Sequence, residues 1–354
     1  MTTQTRDVIG GVDTHGATHH AAALNATTGK LLGDREFPAT PAGYRQLLDW
    51  LGSFGQVTQV GIEGTGSFGA GLFRYLDAAS VTVIEVDRPN RRDRRRQGKS
   101  DPLDAIGAAR AVLAGTATAT PKPRTGPVEA IRVLRTTRAS AVKARTAAIN
   151  QITSLIFSAP DELRASLTGL TRTARITRCT RLRIDQSALA DPAVATRAAL
   201  RTLARRVQAL NAEIHAADSQ LAALVAATAP ATSAIFGVGT DAAGQLLATA
   251  GDNPHRLASE AALARLCGVA PIPASSGNTT RHRLHRGGDR AANRSLHLII
   301  INRLRWHPAT RDYVARRTTE GKTKKEIIRC LKRYLIREIY TALMADFPDL
   351  ATAT

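Results

Sequence analysis

Four carboxylates stand at positions suited to holding divalent cations. Asp13 closes the apolar run Val8–Val12, and Glu63 closes a second run that begins at Val57. Asp101 and Asp104 open a helical stretch in Lys99-Ser100-Asp101-Pro102-Leu103-Asp104-Ala105, and their i, i+3 spacing puts both on one helical face. Acids that converge repel one another unless cations neutralise them. Hard oxygen ligands suit Mg²⁺, and two such ions about 3.5–4 Å apart can clamp both sides of a phosphodiester. The competing reading is that an Asp at a strand end forms a turn and that Ser100 or Asp101 merely caps a helix.

Basic residues lie beside these acids. Arg88–Lys99 carries seven cations, Arg91, Arg92, Arg94, Arg95, Arg96 and Lys99 among them, against one acid. Cations next to a metal-binding cluster make sense if a phosphate chain crosses it. Further along, the loop Ala274-Ser275-Ser276-Gly277 precedes Arg281, Arg283, Arg286, Arg290 and Arg294, and Lys324 and Lys325 begin another basic stretch. These are expected nucleic-acid contacts. A serine hydroxyl is a weak nucleophile without help, for which His282, His285 and Asp289 are neighbours in sequence. Phe236-Gly237-Val238-Gly239-Thr240 reads either as a phosphate-binding loop between helices or as a plain connector.

The elements that must position these groups are legible from hydrophobic patterning. Strands are expected over Val8–Val12, Ala21–Asn25, Lys30–Phe37, Val57–Glu63 and Val81–Val86, with helices over Tyr44–Leu51, from Gly66 to about Ala79, and over Leu103–Leu113. The order β-β-β-α-β-α-β-α is that of a ribonuclease-H-like fold, in which the first and fourth strands are neighbours and would set Asp13 beside Glu63. After Thr116–Pro127 the chain turns rich in Ala and Arg. Leu200, Leu203, Val207, Leu210, Ile214, Ala217, Leu221 and Leu224 then follow steps of three and four, which predicts a coiled-coil helix. An earlier helix with Ile149, Ile152 and Ile156 on one face would pair with it as an antiparallel arm. The expected fold class is thus α/β plus α. Residues 1–125 form the catalytic domain, 126–230 a helical arm, 231–345 a mostly helical C-terminal domain, and 346–354 a frayed tail.

Composition narrows the partners. The chain has 354 residues and a formal charge of +20, from 49 Lys and Arg against 29 Asp and Glu. Such an excess implies a polyanion. No apolar run approaches the roughly 20 residues of a membrane span, and no signal peptide is expected. The three cysteines form no CxxC pair, which disfavours a zinc ribbon or a disulfide framework and fits a reducing cytoplasm. Aromatic residues are only 4% of the chain, little material for a base-stacking sheet.

The conjunction of motifs resembles the DEDD transposases of the IS110 group of insertion sequences, to which Piv-type DNA invertases are related. Asp13, Glu63 and Asp101-x-x-Asp104 carry the resemblance, together with Gly237–Gly239, Leu266–Pro271, Ser276-Gly277 and Arg290–Leu296. The resemblance implies a RuvC-like domain binding Mg²⁺, two ions per site, at Asp13, Glu63, Asp101 and Asp104. It implies that Ser276, with Ser275 ranked second, attacks double-stranded DNA to form a phosphoserine link. It further implies a structured bridge RNA and a homo-oligomer, dimer or tetramer, in which the acids of one subunit meet the serine of another. One departure from the family pattern is Arg286-Gly287-Gly288-Asp289 after the serine. The alternatives are a metal-dependent nuclease or junction resolvase in which water attacks, a Piv-type invertase without guide RNA, and a non-catalytic nucleic-acid-binding protein. A tyrosine recombinase using Tyr313 or Tyr334 is less favoured, since both tyrosines fit helix packing.

Overall fold

A computed structural model of the chain describes residues 6–86, 100–253, 257–278 and 282–352. It divides into two compact units, Met1–Pro123 and Arg124–Thr354.

The first unit is built on a five-stranded mixed sheet of β1 (Asp7–Thr14), β2 (Thr18–Asn25), β3 (Leu31–Pro38), β4 (Gln56–Glu63) and β5 (Thr82–Val86), in the order β3-β2-β1-β4-β5. β1 pairs antiparallel with β2 and parallel with β4, so the expected adjacency of the first and fourth strands holds. Strand β2 begins three residues earlier than the apolar pattern predicts, because His19 and His20 interrupt the hydrophobic run yet continue the pairing onto Thr14 and Asp13. His19 is wholly buried and stacks on Tyr44, with ring centroids 5.7 Å apart.

The period-two alternation of β1 separates the two faces of the sheet. Val8 and Val12 join Leu47 and Leu51 of α1 (Pro41–Gly52) and Leu72, Phe73 and Leu76 of α2 (Ala70–Ala78) in one core. Ile9 faces the other way, packing with Val86 and with Ala108, Ala109 and Val112 of α3 (Asp101–Leu113). Two glycines let α3 come this close. Gly11 and Gly61 are register partners on β1 and β4. A Cβ on Gly11 would stand 2.2 Å from the Ala105 carbonyl oxygen, and one on Gly61 would stand 2.7 Å from Val112 Cγ2. Ala22, the partner of Gly11 on β2, continues this shallow floor under Ala105 and Ile106.

The second unit is mostly helical. Two long helices, α4 (Pro127–Phe157) and α7 (Pro192–Thr228), run antiparallel: Arg138 ion-pairs with Asp218, and Arg145 hydrogen-bonds to Asn211. At one end Ile152 and Ile156 pack with Leu200, Ala204 and Val207, joined by Leu163 and Leu167 of α5 (Asp161–Leu167) and by Cys179 of α6 (Arg172–Thr180). At the other end Val128, Ile131, Leu221 and Val225 enter a core with the C-terminal helices. Those are α8 (Pro230–Ala234), α9 (Thr240–Ala250), α10 (Glu260–Leu266), α11 (Arg290–Trp306), α12 (Pro308–Thr319) and α13 (Lys324–Thr352). A two-stranded ribbon, β6 (Pro271–Pro273) and β7 (His282–Leu284), interrupts them; its strands are too short and proline-rich to show a sequence pattern.

The tail expected from Asp346 onward is instead a continuation of α13. Asp346 is buried, and its carboxylate accepts hydrogen bonds from the backbone N–H groups of Ala231 and Thr232 and from the Thr232 hydroxyl. Phe347 is buried as well. The sequence end looks polar because Asp346 is the partner of a distant helix terminus, which local patterning does not reveal. No described helix is long and apolar enough to cross a membrane.

The packing of α3 makes a sharp contrast testable. Gly11→Ala must displace backbone and should cost about 1–3 kcal/mol or more, as overpacking does. Gly107→Ala, within α3 itself but facing open space, should stabilise the protein by about 0.5–1 kcal/mol. Urea denaturation of both variants measures the difference.

Candidate metal centre and basic surface

Strand and helix geometry deliver the acids to one place. Asp13 lies two residues beyond Gly11 on β1 and so shares the face on which α3 is seated. Asp101 and Asp104 belong to the first turn of α3, over that same end of β1. The Ser100 side chain makes no capping hydrogen bond, and Asp101 turns instead to His15, whose Nε2 is 3.4 Å from Asp101 Oδ1. The same His15 nitrogen is 3.1 Å from Asp13 Oδ2. Asp13, His15 and Asp101 can each offer one ligand atom, all within 4.8 Å of one another.

Glu63 ends β4 beside Asp13, and Thr14 donates a hydrogen bond from its Oγ1 to the Glu63 carbonyl oxygen at 2.7 Å. Glu63 and Asp104 stand outside the tight three-residue group. Asp104 is nevertheless buried, and its charge acts on Asp13. His15 is the member that reasoning from carboxylates missed. The available signal was its i+2 spacing from Asp13 in the turn after the first strand.

The electrostatics leave this site short of positive charge. Burial raises the Asp13 carboxyl above its ordinary value, while His15 opposes that shift by proximity and by its hydrogen bond; Asp104 and Asp101 raise it further. Only 6% of Asp13 is exposed, so solvent does little to relieve the repulsion. A divalent cation among these oxygens would relieve it, and the donor set of carboxylates with one imidazole fits Mg²⁺ or Mn²⁺.

In the second unit Ser275 and Ser276 are exposed on the loop that joins β6 to β7. The segments flanking the ribbon are held against each other. A Cβ on Gly288 would stand 2.2 Å from the Gly268 nitrogen, so the two backbones touch there, and Asn293 donates to the carbonyl oxygens of Cys267 and Gly268, both at 3.0 Å. The departure Arg286-Gly287-Gly288-Asp289 therefore supplies the glycine that this contact needs. Of the groups considered as helpers of the serine, Asp289 is committed elsewhere. It caps α11 by accepting from the N–H of Ala291 and Ala292, and it accepts from the Thr249 hydroxyl at 2.6 Å.

Arg283, Arg286, Arg290, Arg294, Lys324 and Lys325 are all exposed, as a phosphate-contacting role requires. Arg290 and Arg294 are one helical turn apart on α11. Arg91, Arg92, Arg94, Arg95, Arg96, Lys99 and Arg281 lie outside the described residues. Tyr313 and Tyr334 pack edge to face, ring centroids 5.6 Å apart, in keeping with the packing role read from their spacing.

The chain combines a mixed sheet whose acid group fits a divalent metal with a mostly helical unit that exposes basic residues. Residues 10–158 match the DEDD transposase model of the IS110 type, described as a transposase, and residues 230–315 match the transposase family IS116/IS110/IS902. The chain belongs to the IS110 family of insertion-sequence transposases. It is similar to the insertion element IS110 uncharacterized 43.6 kDa protein of Streptomyces coelicolor, at 33% identity over 146 residues. It is also similar to the insertion element IS900 uncharacterized 42 kDa protein of Mycobacterium paratuberculosis, at 28% identity over 150 residues. Each match covers 40% of this chain and spans 36% of the relative's length.

The charge deficit at Asp13 has a measurable consequence. A raised carboxyl pKa is a folded-state advantage that is present below the ordinary aspartate value of 3.8 and is lost as pH rises through the folded pKa. In metal-free protein, Asp13→Asn should therefore raise Tm at neutral pH, with the gain shrinking as pH falls toward that value. Mg²⁺ or Mn²⁺ should raise the Tm of the wild type and not of the variant. Scanning calorimetry with and without chelator tests both statements, and an equal response of the variant to metal would refute the site.

Proposed function

We propose that the chain is a DNA recombinase of an insertion sequence, cutting and rejoining double-stranded DNA with Mg²⁺ held by Asp13, Glu63, Asp101 and Asp104. The observation that carries this reading is the convergence of Asp13 and Asp101 on one face of the sheet, with Asp104 acting on the same carboxyl. The strand order β3-β2-β1-β4-β5 supports a ribonuclease-H-like, RuvC-like fold for the first unit. In this reading His15 orients the Asp13 and Asp101 carboxylates through its Nε2. Two bound cations would stabilise charge on the phosphate and on the leaving oxygen.

Ser276 is the proposed nucleophile, with Ser275 second. Its Oγ forms a bond to phosphorus as the bond from phosphorus to a sugar oxygen breaks. The hydroxyl proton passes to a base and the freed sugar oxygen takes up a proton. Rejoining reverses these transfers with a different strand end, which conserves the phosphodiester energy. The exposure of Ser276 on the loop that joins β6 to β7 supports access to a duplex. Arg283, Arg286, Arg290, Arg294, Lys324 and Lys325 would hold flanking phosphates, a task for which Arg is suited by its bidentate geometry.

A structured bridge RNA is the proposed guide, and a homo-oligomer the proposed active form, with the antiparallel helices α4 and α7 serving as a coiled-coil arm for assembly. The seam residues Leu200, Val207, Ile214, Ala217 and Leu221 are buried within the chain, which supports the pairing of α7 with α4 in that arm. The cell compartment that fits this activity is the cytoplasm, at the chromosome.

Two substitutions separate the parts of this proposal. Ser276→Ala, with Ser275 intact, should abolish a covalent protein–DNA adduct seen as a shifted band on denaturing gels. Asp13→Ala should lower metal-dependent strand cleavage by at least about 10²-fold, the scale on which loss of one transition-state charge stabiliser acts. Cleaved ends without any adduct in the wild type would identify water as the attacking group and a nuclease as the function. An adduct undiminished in Ser276→Ala would remove Ser276 from its assigned role.

A further inference from the structure

The second unit contains a cavity of about 720 Å³ that adjoins the serine-bearing ribbon and is lined by neither serine and by none of the acid group. Its walls come from β6 and β7 on one side and from Asn293 of α11, the end of α12 and the first turns of α13 on the other. Seven Lys or Arg side chains line it, against the single acid Glu326. The Glu326 carboxylate accepts from the Thr323 backbone N–H and hydroxyl at the start of α13, and the charges of Lys322 and Arg329 act on it as well.

Internal ion pairs neutralise only part of this charge. Arg317 pairs with Glu320, and Arg333 and Arg337 share Glu260. Arg283, Lys322, Arg329 and Lys332 make no ion pair among the described residues. Lys332 is the most enclosed of these cations: among the described residues its ammonium hydrogen-bonds only to Asn293, at 2.8 Å to Oδ1 and 3.3 Å to the carbonyl oxygen, and burial lowers its pKa from the usual lysine value. At one rim Tyr334 is 47% exposed, its ring backed by Tyr313 and covered on part of one face by the Arg337 guanidinium.

We propose that this cavity is a nucleotide seat, holding a phosphodiester of a single nucleic-acid strand among Lys322, Arg329 and Lys332 with its base against Tyr334. The volume is far larger than a free phosphate needs and matches the range of small-molecule sites. Cations in a concave wall with an aromatic at the rim are the combination by which single strands are held, charge for the backbone and ring for the base. The shared chemistry, phosphodiester plus unstacked base, is found in RNA loops and in DNA strands displaced from a duplex.

This inference rests on the recombinase reading only in taking nucleic acid as the ligand. Fluorescence anisotropy of the full chain with a labelled RNA strand, a DNA strand and a DNA duplex tests it. Lys322→Gln with Arg329→Gln should weaken single-strand binding about tenfold or more and reduce the slope of log K against log salt by about 1.4, two contacts at about 0.7 each. Tyr334→Ala should weaken single-strand binding by a further factor of about ten, Tyr334→Phe should not, and the duplex should respond to neither tyrosine change. Which single strand loses more names the source. The charge-matched pair Arg205→Gln with Arg206→Gln, exposed on α7, should leave affinity for all three probes near wild type. Equal losses from that pair, or wild-type affinity in Lys322→Gln with Arg329→Gln, would overturn the cavity. A wild-type chain that binds none of the probes would instead count against the nucleic-acid reading as a whole. Unchanged melting temperatures in every variant keep the comparison free of folding effects.

Discussion

The close seating of α3 on the sheet is the contact on which the first unit depends. A helix resting on ordinary side chains stands about 10 Å from a sheet, whereas here Gly11 and Gly61 remove the side chains beneath it and Ala105, Ala108 and Ala109 remove those above. The approach forgoes much hydrophobic burial at this spot and replaces it with van der Waals contact between backbones. What it gains is position. The first turn of α3 hangs over the end of β1, so Asp101 and Asp104 meet Asp13 across a separation in sequence that only tertiary packing can close. The electrostatic strain of that meeting is stored in a folded scaffold whose other core, around Leu47, Leu51, Ile62 and Leu72, lies on the opposite face and is untouched by it.

The second unit repeats the device with different parts. Gly268 and Gly288 bring two backbone segments into contact, and the surrounding side chains lock them: Asn293 to two carbonyl groups, Lys332 to Asn293, and Asp289 to the start of α11 and to Thr249. Polar residues that look in the sequence like parts of a reactive cluster are thereby divided. Asp289 and Asn293 serve the scaffold, while Ser276, Arg283 and Arg286 are exposed. Arg303 follows the same logic deeper in the fold, buried at 5% exposure and satisfied by a bidentate pair with Glu338 and by the Phe236 carbonyl.

The excess of +20 is therefore not one undifferentiated field. Some cations are spent on structure, as with Arg303, Arg138 and Arg135, each of which is tied to acids or carbonyls of another helix. Others, including Arg290, Arg294, Lys324 and Lys325, project from exposed positions with no such commitment among the described residues. A third set lines the cavity beside α13, where concave walls of low dielectric focus the potential more strongly than an open surface does.

The sequence by itself determined the apolar runs of the strands, the two long amphipathic helices and the positions of the acids at element ends. These are local properties, written in short apolar runs and in a helical period of about 3.6 residues. The adjacency of β1 and β4 was also legible, because the element order restricts the topology. Only the tertiary structure decided that His15 joins Asp13 and Asp101 while Glu63 stands outside their tight group, since a turn residue's direction depends on the helix packed above it. It alone decided that Asp346 is a buried helix cap and that a β ribbon carries the serines, because their partners lie more than a hundred residues away or in strands too short to leave a pattern. Hydrophobic periodicity records which face of an element is buried and not what it is buried against; the chemistry of this chain is assembled by the second of these.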